Sequence, residues 1–364
     1  SAYHTRRLRP GTGRYHWVDT LYALSEVAVY AAVVDQIDTH GGSVDYGQLF
    51  TDIRDCADLS HQDGSILDNV LTDLPRYVER DPELGVLLHK FRSAGKRLFL
   101  LTNSGPEYTH AMMSYLLGGA LEEYPNWRNY FDFTITAAKK PSFFTGKTPF
   151  VDAKTSAQTS APERGQLYLG GNIADLERAL GYSGDEVLYV GDHIYGDVLR
   201  AKKESTWRTA MIIQEMDDEL RVHREHSVSF ERSASLEQTR DAVQDQLREQ
   251  QARLKRVDRK LVDPDLGSEK ASFEAKRVLH RRSIDRLRAQ LKELDAERTE
   301  LDGALDQAFH PFWGSVFKAG SEVSSFGSQI EQYAGIYTSR ATNLAQYSPM
   351  HYFRSPRHRM PHEL

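Results

Sequence analysis

Four short runs of nearly continuous apolar residues limit the folds open to this chain: Arg97–Asn103 (RLFLLTN), Phe131–Ala137 (FDFTITA), Val187–Asp192 (VLYVGD) and Arg208–Gln214 (RTAMIIQ). A strand with one face in water alternates apolar and polar residues, whereas a parallel strand covered on both faces by helices does not. Helix-period segments separate the runs. Pro82–Ser93 is closed by Ala94 and Gly95, and Pro106–Leu117 is opened by Ser104-Gly105-Pro106 and stopped by Gly118-Gly119. The stretch from about Tyr15 to Glu215 is therefore predicted to be α/β, a doubly wound sheet.

Two other regimes follow. Between Ser235 and Ala304 the chain turns to Glu, Arg, Lys, Gln and Leu, with aliphatics at Leu247, Leu254 and Leu261 and again at Leu287, Leu291, Leu294 and Leu301. The break Val262–Ser268 holds Pro264 and Gly267, so two long helices folded back as a hairpin are expected. Such charge patterning reads either as the solvated faces of an arm or as a subunit contact. From Phe309 aromatics return (Phe312, Trp313, Phe317, Phe326, Tyr333), and this last segment is expected to pack on the α/β body.

With 364 residues, 40% hydrophobic, the chain can bury at least one sizeable core. Its single cysteine, Cys56, excludes an intramolecular disulfide, and no Cys/His cluster has structural-zinc spacing. No uninterrupted apolar stretch reaches the ~18 residues of a membrane span, and no secretory leader opens the chain, so a cytosolic protein without a membrane partner is expected. The net charge of −6 argues against a nucleic-acid partner. Ser1 stands where an initiator methionine is expected, which suggests further residues upstream.

Chemistry gathers where apolar runs end. GDHIYGD, Gly191–Asp197, places Asp192 and Asp197 at the end of the third run, where α/β sheets bind ligands. The two carboxylates either cap the following helix or offer the hard oxygens that Mg²⁺ takes while keeping several waters. LLTNSG ends the first run with Thr102, Asn103 and Ser104, short donors entering a helix N-terminus and suited to cradling a phosphate. AAKKP ends the second with Lys139 and Lys140, either of which could offset the charge on a transferring phosphoryl group.

In that order, hydroxyl, lysine and paired aspartates, these segments resemble motifs II, III and IV of the haloacid dehalogenase superfamily of phosphohydrolases. Together with GRYHWVDTLYALSE (13–26), FTDIRDCADLSHQDGS (50–65), YVGDHIYGDVLRAKKESTWRT (189–209) and RMPHE (359–363), they resemble the cytosolic purine 5'-nucleotidases specific for IMP and GMP. The resemblance implies a Rossmann-like core with a helical cap and a long helical hairpin insertion. Its divisions fall at 1–96 for the cap and base-recognition segment, 97–233 for the catalytic core, 234–308 for the arm and 309–364 for a C-terminal helical segment. It further implies Mg²⁺-dependent hydrolysis of purine nucleoside monophosphates through an aspartyl-phosphate, by a homo-oligomer, tetramer or dimer. Asp192 would help hold Mg²⁺, Asp197 would complete that shell or position Lys140, Thr102, Asn103 and Ser104 would meet the phosphoryl oxygens, and Lys140 would offset their charge.

One motif is missing from the sequence. The superfamily's nucleophile lies in DxDxT on the first core strand, and the only DxD here is Asp263-Pro264-Asp265, in the turn of the charged hairpin with Gly267 where Thr is needed. Either motif I lies on a segment or polypeptide beyond this chain, or the protein is a non-catalytic binding or scaffold subunit. A phosphotransferase that passes the phosphoryl group to another nucleoside is a variant of the enzyme reading. Arg54, Asp58 and His61 fall at i, i+4 and i+7 of one helix, which reads either as a salt-bridged stripe or, by the resemblance, as the purine site. There Arg54 would donate to O6 and N7 and Asp58 would accept from N1–H, a pattern adenine mismatches. Tyr22 aligns with the aromatic that stacks on the base. Gly105 and Ala23 replace an aspartate and an asparagine of the family pattern. The resemblance also implies a nucleotide effector site at Asp19, Tyr195, Lys203 and Arg208, residues that equally suit a solvated helix end.

Overall fold

The computed structural model describes residue 18 and residues 20–263, 267–320 and 322–353. They form two compact units, one running to Met216 and resuming at Val323, the other spanning Asp217–Glu322.

The first unit is mixed α/β with two open sheets. In the larger, β1 (Phe99–Leu101) pairs in parallel with β2 (Phe133–Thr136), and β2 in parallel with β5 (Leu167–Gly170). Strand β3 (Phe150–Asp152) then runs antiparallel to β5, and β4 (Gln158–Thr159) antiparallel to β3. The smaller sheet is parallel throughout: β6 (Leu188–Gly191), β7 (Arg208–Ile212) and the strand Ile336–Thr338. All four apolar runs are strands, trimmed at their ends where the chain turns into the loops described below. One core lies under both sheets, joining Leu101, Phe133 and Ile135 of the first to Tyr189 of the second and to Trp207.

The sequence patterns miss β3, β4, β5 and Ile336–Thr338, because none of them lies in an apolar run as long as the four quoted above. The last of these also revises the expected C-terminal helical segment: from Val323 the chain contributes a helix, Ser325–Tyr333, and then a strand. Lys90 Nζ fastens it, donating to the carbonyls of Ala345 (2.6 Å) and Tyr347 (2.9 Å).

Among the described residues β1 and β6 are both edge strands, each paired on one side only. Side chains of the two strands meet. The rings of Phe99 and Tyr189 stack with centroids 6.4 Å apart and planes 4° from parallel. Val190, in a run that reads as covered on both faces, is 38% exposed.

Ahead of the sheets come α1 (Leu24–Thr39) and α2 (Tyr46–Gln62), the latter capped by Asp45, whose carboxylate accepts from the N–H groups of Gly47 and Gln48. Neither helix has a buried residue.

The second unit is the expected hairpin, with helices Ser227–Leu261 and Lys270–Phe309. Val243 and Leu247 meet Ile284 and Leu287 in its seam. Residues 309–322 belong here rather than with the C-terminal segment: the buried Glu219 accepts from Ser315 Oγ (2.9 Å) and Val316 N–H (2.8 Å). Among the described residues no helix is long and apolar enough to cross a membrane.

Candidate active site

The loop after β2 decides which lysine faces inward. Ala137 (φ 46°) and Lys139 (φ 58°) both take left-handed backbone, a conformation that costs a non-glycine residue about 1 kcal/mol and collects at functional sites. The turn leaves Lys139 exposed and sends Lys140 toward the ends of β1 and β6. Asn103 pins this loop: its Oδ1 accepts from Lys140 N–H (2.6 Å) and its Nδ2 donates to Lys140 C=O (3.1 Å). Asn103 thus holds the lysine's backbone, a positioning role that the sequence does not reveal. Thr102 Oγ1 accepts from Ser104 N–H (3.1 Å), and among the described residues the threonine's own hydroxyl proton has no acceptor.

Lys140 Nζ lies 2.7 Å from Asp197 Oδ1, 3.0 Å from the Tyr189 hydroxyl and 3.5 Å from the Leu101 carbonyl. Tyr189 donates to the same Asp197 oxygen (2.9 Å). The remaining carboxylate oxygen accepts from His193 N–H (3.3 Å). Burial first, and then the Asp197 carboxylate, push the Tyr189 phenol far above its ordinary range, so it stays a donor. A wide π-type turn over Ile194–Leu199 brings Asp197 back against Gly191, where any Cβ would come within 2.7 Å of the carboxylate. Gly191 is thus required by contact with Asp197. Asp197 spends its charge on Lys140, while Asp192, one residue past β6, is exposed and has no hydrogen-bond partner among the described residues.

The helix face assembles close by. Tyr22 OH and His61 Nε2 are 2.7 Å apart, and His61 Nδ1 faces the Ala57 carbonyl at 2.8 Å. Arg54 Nε reaches Glu26 at 4.0 Å. Burial, and then the Glu26 and Asp58 carboxylates, raise the Tyr22 phenol above its ordinary value. Tyr22 is also 6.2 Å, ring to ring, from His193, the neighbour of Asp192. Tyr22 therefore meets His61 and borders the loop after β6, while Arg54 faces Glu26.

A model of the 5' nucleotidase family matches residues 1–364. The chain belongs to the 5' nucleotidase family. Over 351 residues, 94% of this chain and 54% of the relative, it is 27% identical to a 5'-nucleotidase domain-containing protein of Dictyostelium discoideum. The human 5'-nucleotidase domain-containing protein 2 is 34% identical over 208 residues, 56% of this chain and 39% of that protein. Its rat counterpart is 27% identical over 349 residues, 94% and 56% respectively. The chain thus spans about half the length of the curated relatives it matches along most of its own length.

Of the residues expected at an effector site, Asp19 lies outside the described residues. Tyr195 and Lys203 face one helix: Gln329 Nε2 donates to Tyr195 OH (3.3 Å) and Lys203 Nζ lies 5.3 Å from the Tyr333 ring centre. Arg208 faces elsewhere. Its guanidinium stacks 3.8 Å from the Tyr352 ring centre and donates to the Asp185 (2.6 Å) and Phe353 (3.2 Å) carbonyls. The structure brings two of the three together and gives Arg208 the work of fastening the C-terminal segment. Sequence reasoning missed Tyr189 and His193 altogether, although both sit inside the YVGDHIYGD block.

Proposed function

We propose that the full-length protein hydrolyses the 6-oxopurine nucleoside 5'-monophosphates IMP and GMP, with Mg²⁺, on a haloacid-dehalogenase-like core. The observation that carries this reading is the buried Lys140–Asp197–Tyr189 node at the ends of parallel strands, next to β1 and β6, each paired on one side only among the described residues. A parallel strand fitting between β1 and β6 would deliver its terminal residues to Lys140, as the superfamily's motif I does.

In this reaction a carboxylate from outside the chain attacks phosphorus, the bond to the ribose 5' oxygen breaks, and that oxygen takes a proton; water then cleaves the aspartyl-phosphate. Lys140, held in direction by Asp197, offsets charge on nucleophile and phosphoryl oxygens. Thr102 supplies its free hydroxyl proton to a phosphoryl oxygen, with Ser104 beside it, and Asn103 keeps Lys140 in register. Asp192 is a carboxylate at the strand ends with no hydrogen-bond partner among the described residues, and it suits a Mg²⁺ ion that takes one or two carboxylates plus waters and phosphate. Bound there, Mg²⁺ would screen the phosphate's charge. Arg54 and Asp58 read the 6-oxopurine edge, and Tyr22 supplies a stacking face.

Phosphate release by the full-length protein from IMP, GMP and AMP, with Mg²⁺ and with chelator, tests the proposal. Expected are rates at least about tenfold higher on IMP and GMP, the scale of one lost polar contact, and none in chelator. Equal rates on AMP refute the base-recognition reading. No release from any nucleotide favours the scaffold subunit.

A further inference from the structure

The arm carries its charge in two blocks. Its distal half, residues 248–292, holds 14 Lys and Arg against 7 Asp and Glu, a net of +7. Its proximal half, residues 227–247 and 293–309, holds 3 Arg against 10 Asp and Glu, a net of −7. At 1.5 Å per helical residue each block is about 30 Å long.

Pairing within the arm does not exhaust either block. The three proximal arginines are all used: Arg232 on Glu297, Arg240 on Asp295, and Arg298 between Glu237 and Asp302. Glu231, Glu293 and Glu300 remain exposed without an ion-pair partner among the described residues. Distally Arg277 takes Asp258, whereas Arg256, Arg259, Arg281, Arg282 and Arg286 are exposed and likewise unpaired among the described residues. A groove of about 470 Å³ with Leu254 and Ile284 in its lining runs along this half, and Val278 and Leu279 are exposed nearby.

We infer that the arm is a self-association surface on which two copies of this chain lie antiparallel, the basic distal half of each against the acidic proximal half of the other. Two-fold symmetry makes the contact twice. The observations favour a second copy over a polyanion. A polyanion would account for the distal block and leave the equal and opposite block on the same two helices without a role; an antiparallel partner uses both. Parallel pairing sets like charge on like, so the blocks also fix the register. The −6 carried by the chain outside the arm further opposes attraction to polyanions.

Sedimentation equilibrium of the full chain tests this. A dimer is expected at about 50 mM salt, with a dissociation constant at least about tenfold weaker at about 500 mM, because the contacts are exposed and screened. Two sets of exposed reversals separate the halves: Arg281→Glu/Arg282→Glu/Arg286→Glu in the distal half, and Glu231→Arg/Glu293→Arg/Glu300→Arg in the proximal half. Each variant alone is expected to be monomeric with unchanged helical circular dichroism. Their equimolar mixture recovers one complete contact and forms a heterodimer weaker than the native dimer. A native chain that is monomeric at low salt, an oligomer indifferent to salt, a distal variant that dimerises undiminished, or a mixture that stays monomeric each overturns the inference. Retention of a monomeric native chain on heparin, lost in the distal variant, would assign the basic block to a polyanion instead.

Discussion

At the strand ends Lys140 and Asp197 are 12% and 5% exposed and are held by Tyr189, His193 N–H and the Leu101 carbonyl; on the face of α1 and α2, Tyr22 is 57% exposed and Arg54 reaches its acidic neighbour only at 4.0 Å. A charge removed from water must keep its partner, so the first arrangement is rigid before any ligand arrives and costly to break. An exposed side chain keeps its rotamer freedom and its water, and it contributes little until a ligand displaces that water. In the proposed function phosphate chemistry falls to the rigid half and base selection to the adaptable half. This division predicts that the two halves fail differently when mutated.

The largest effect is expected at the buried pair. Lys140→Met leaves Asp197 buried and unpaired and should cost about 3–5 kcal/mol in urea unfolding, whereas Lys140→Met/Asp197→Leu should regain most of it. A loss below about 1 kcal/mol in the single variant would erase the contrast between the halves.

Gly191→Ala comes next. A Cβ within 2.7 Å of the Asp197 carboxylate must displace it, and overpacking of this kind costs about 1–3 kcal/mol. A crystal structure of the variant should show Asp197 moved off Lys140; an unmoved carboxylate breaks the argument.

Tyr189→Phe removes one hydrogen bond to Asp197 and should cost about 1 kcal/mol. Its pH dependence has a definite sign. The folded phenol is raised above its unfolded value of about 10, so its contribution is complete below that pH and declines only as the pH rises further. The stability difference between native and variant should therefore be flat from about pH 6 to about pH 9. A slope across neutrality would mean that another group holds Asp197.

The exposed half should show no stability effect at all. Arg54→Ala and Asp58→Asn are expected to leave the melting temperature unchanged while lowering the ratio of IMP to AMP hydrolysis by the full-length protein. Asp192→Asn, equally neutral to the fold, is expected to abolish turnover. Any of the three unfolding the protein would move that residue into the structural half.

The strands that build the site were legible because their apolar runs are long enough to show both-face burial, and the helices because Gly118-Gly119 and Ser104-Gly105-Pro106 mark their ends. The three-residue strand Ile336–Thr338 and the connecting β3 and β4 were not. Their pairing is decided by neighbours distant in the chain, which no local period reports.

The sequence by itself determined which residue types stand at the ends of the apolar runs, the family, and the two charge blocks of the arm, since these are properties of order and spacing along the chain. By resemblance Lys140 was the expected lysine and Asp197 either its positioner or a metal ligand; only the tertiary structure decided that Asp197 lies against Lys140 while Asp192 stays exposed, that Asn103 clamps a backbone, and that Tyr189 joins the node. Each of these depends on which side chains burial brings within hydrogen-bond distance of one another. Residues 103, 140, 189 and 197 are separated by 37, 49 and 8 positions in sequence, and one packed interior makes them neighbours.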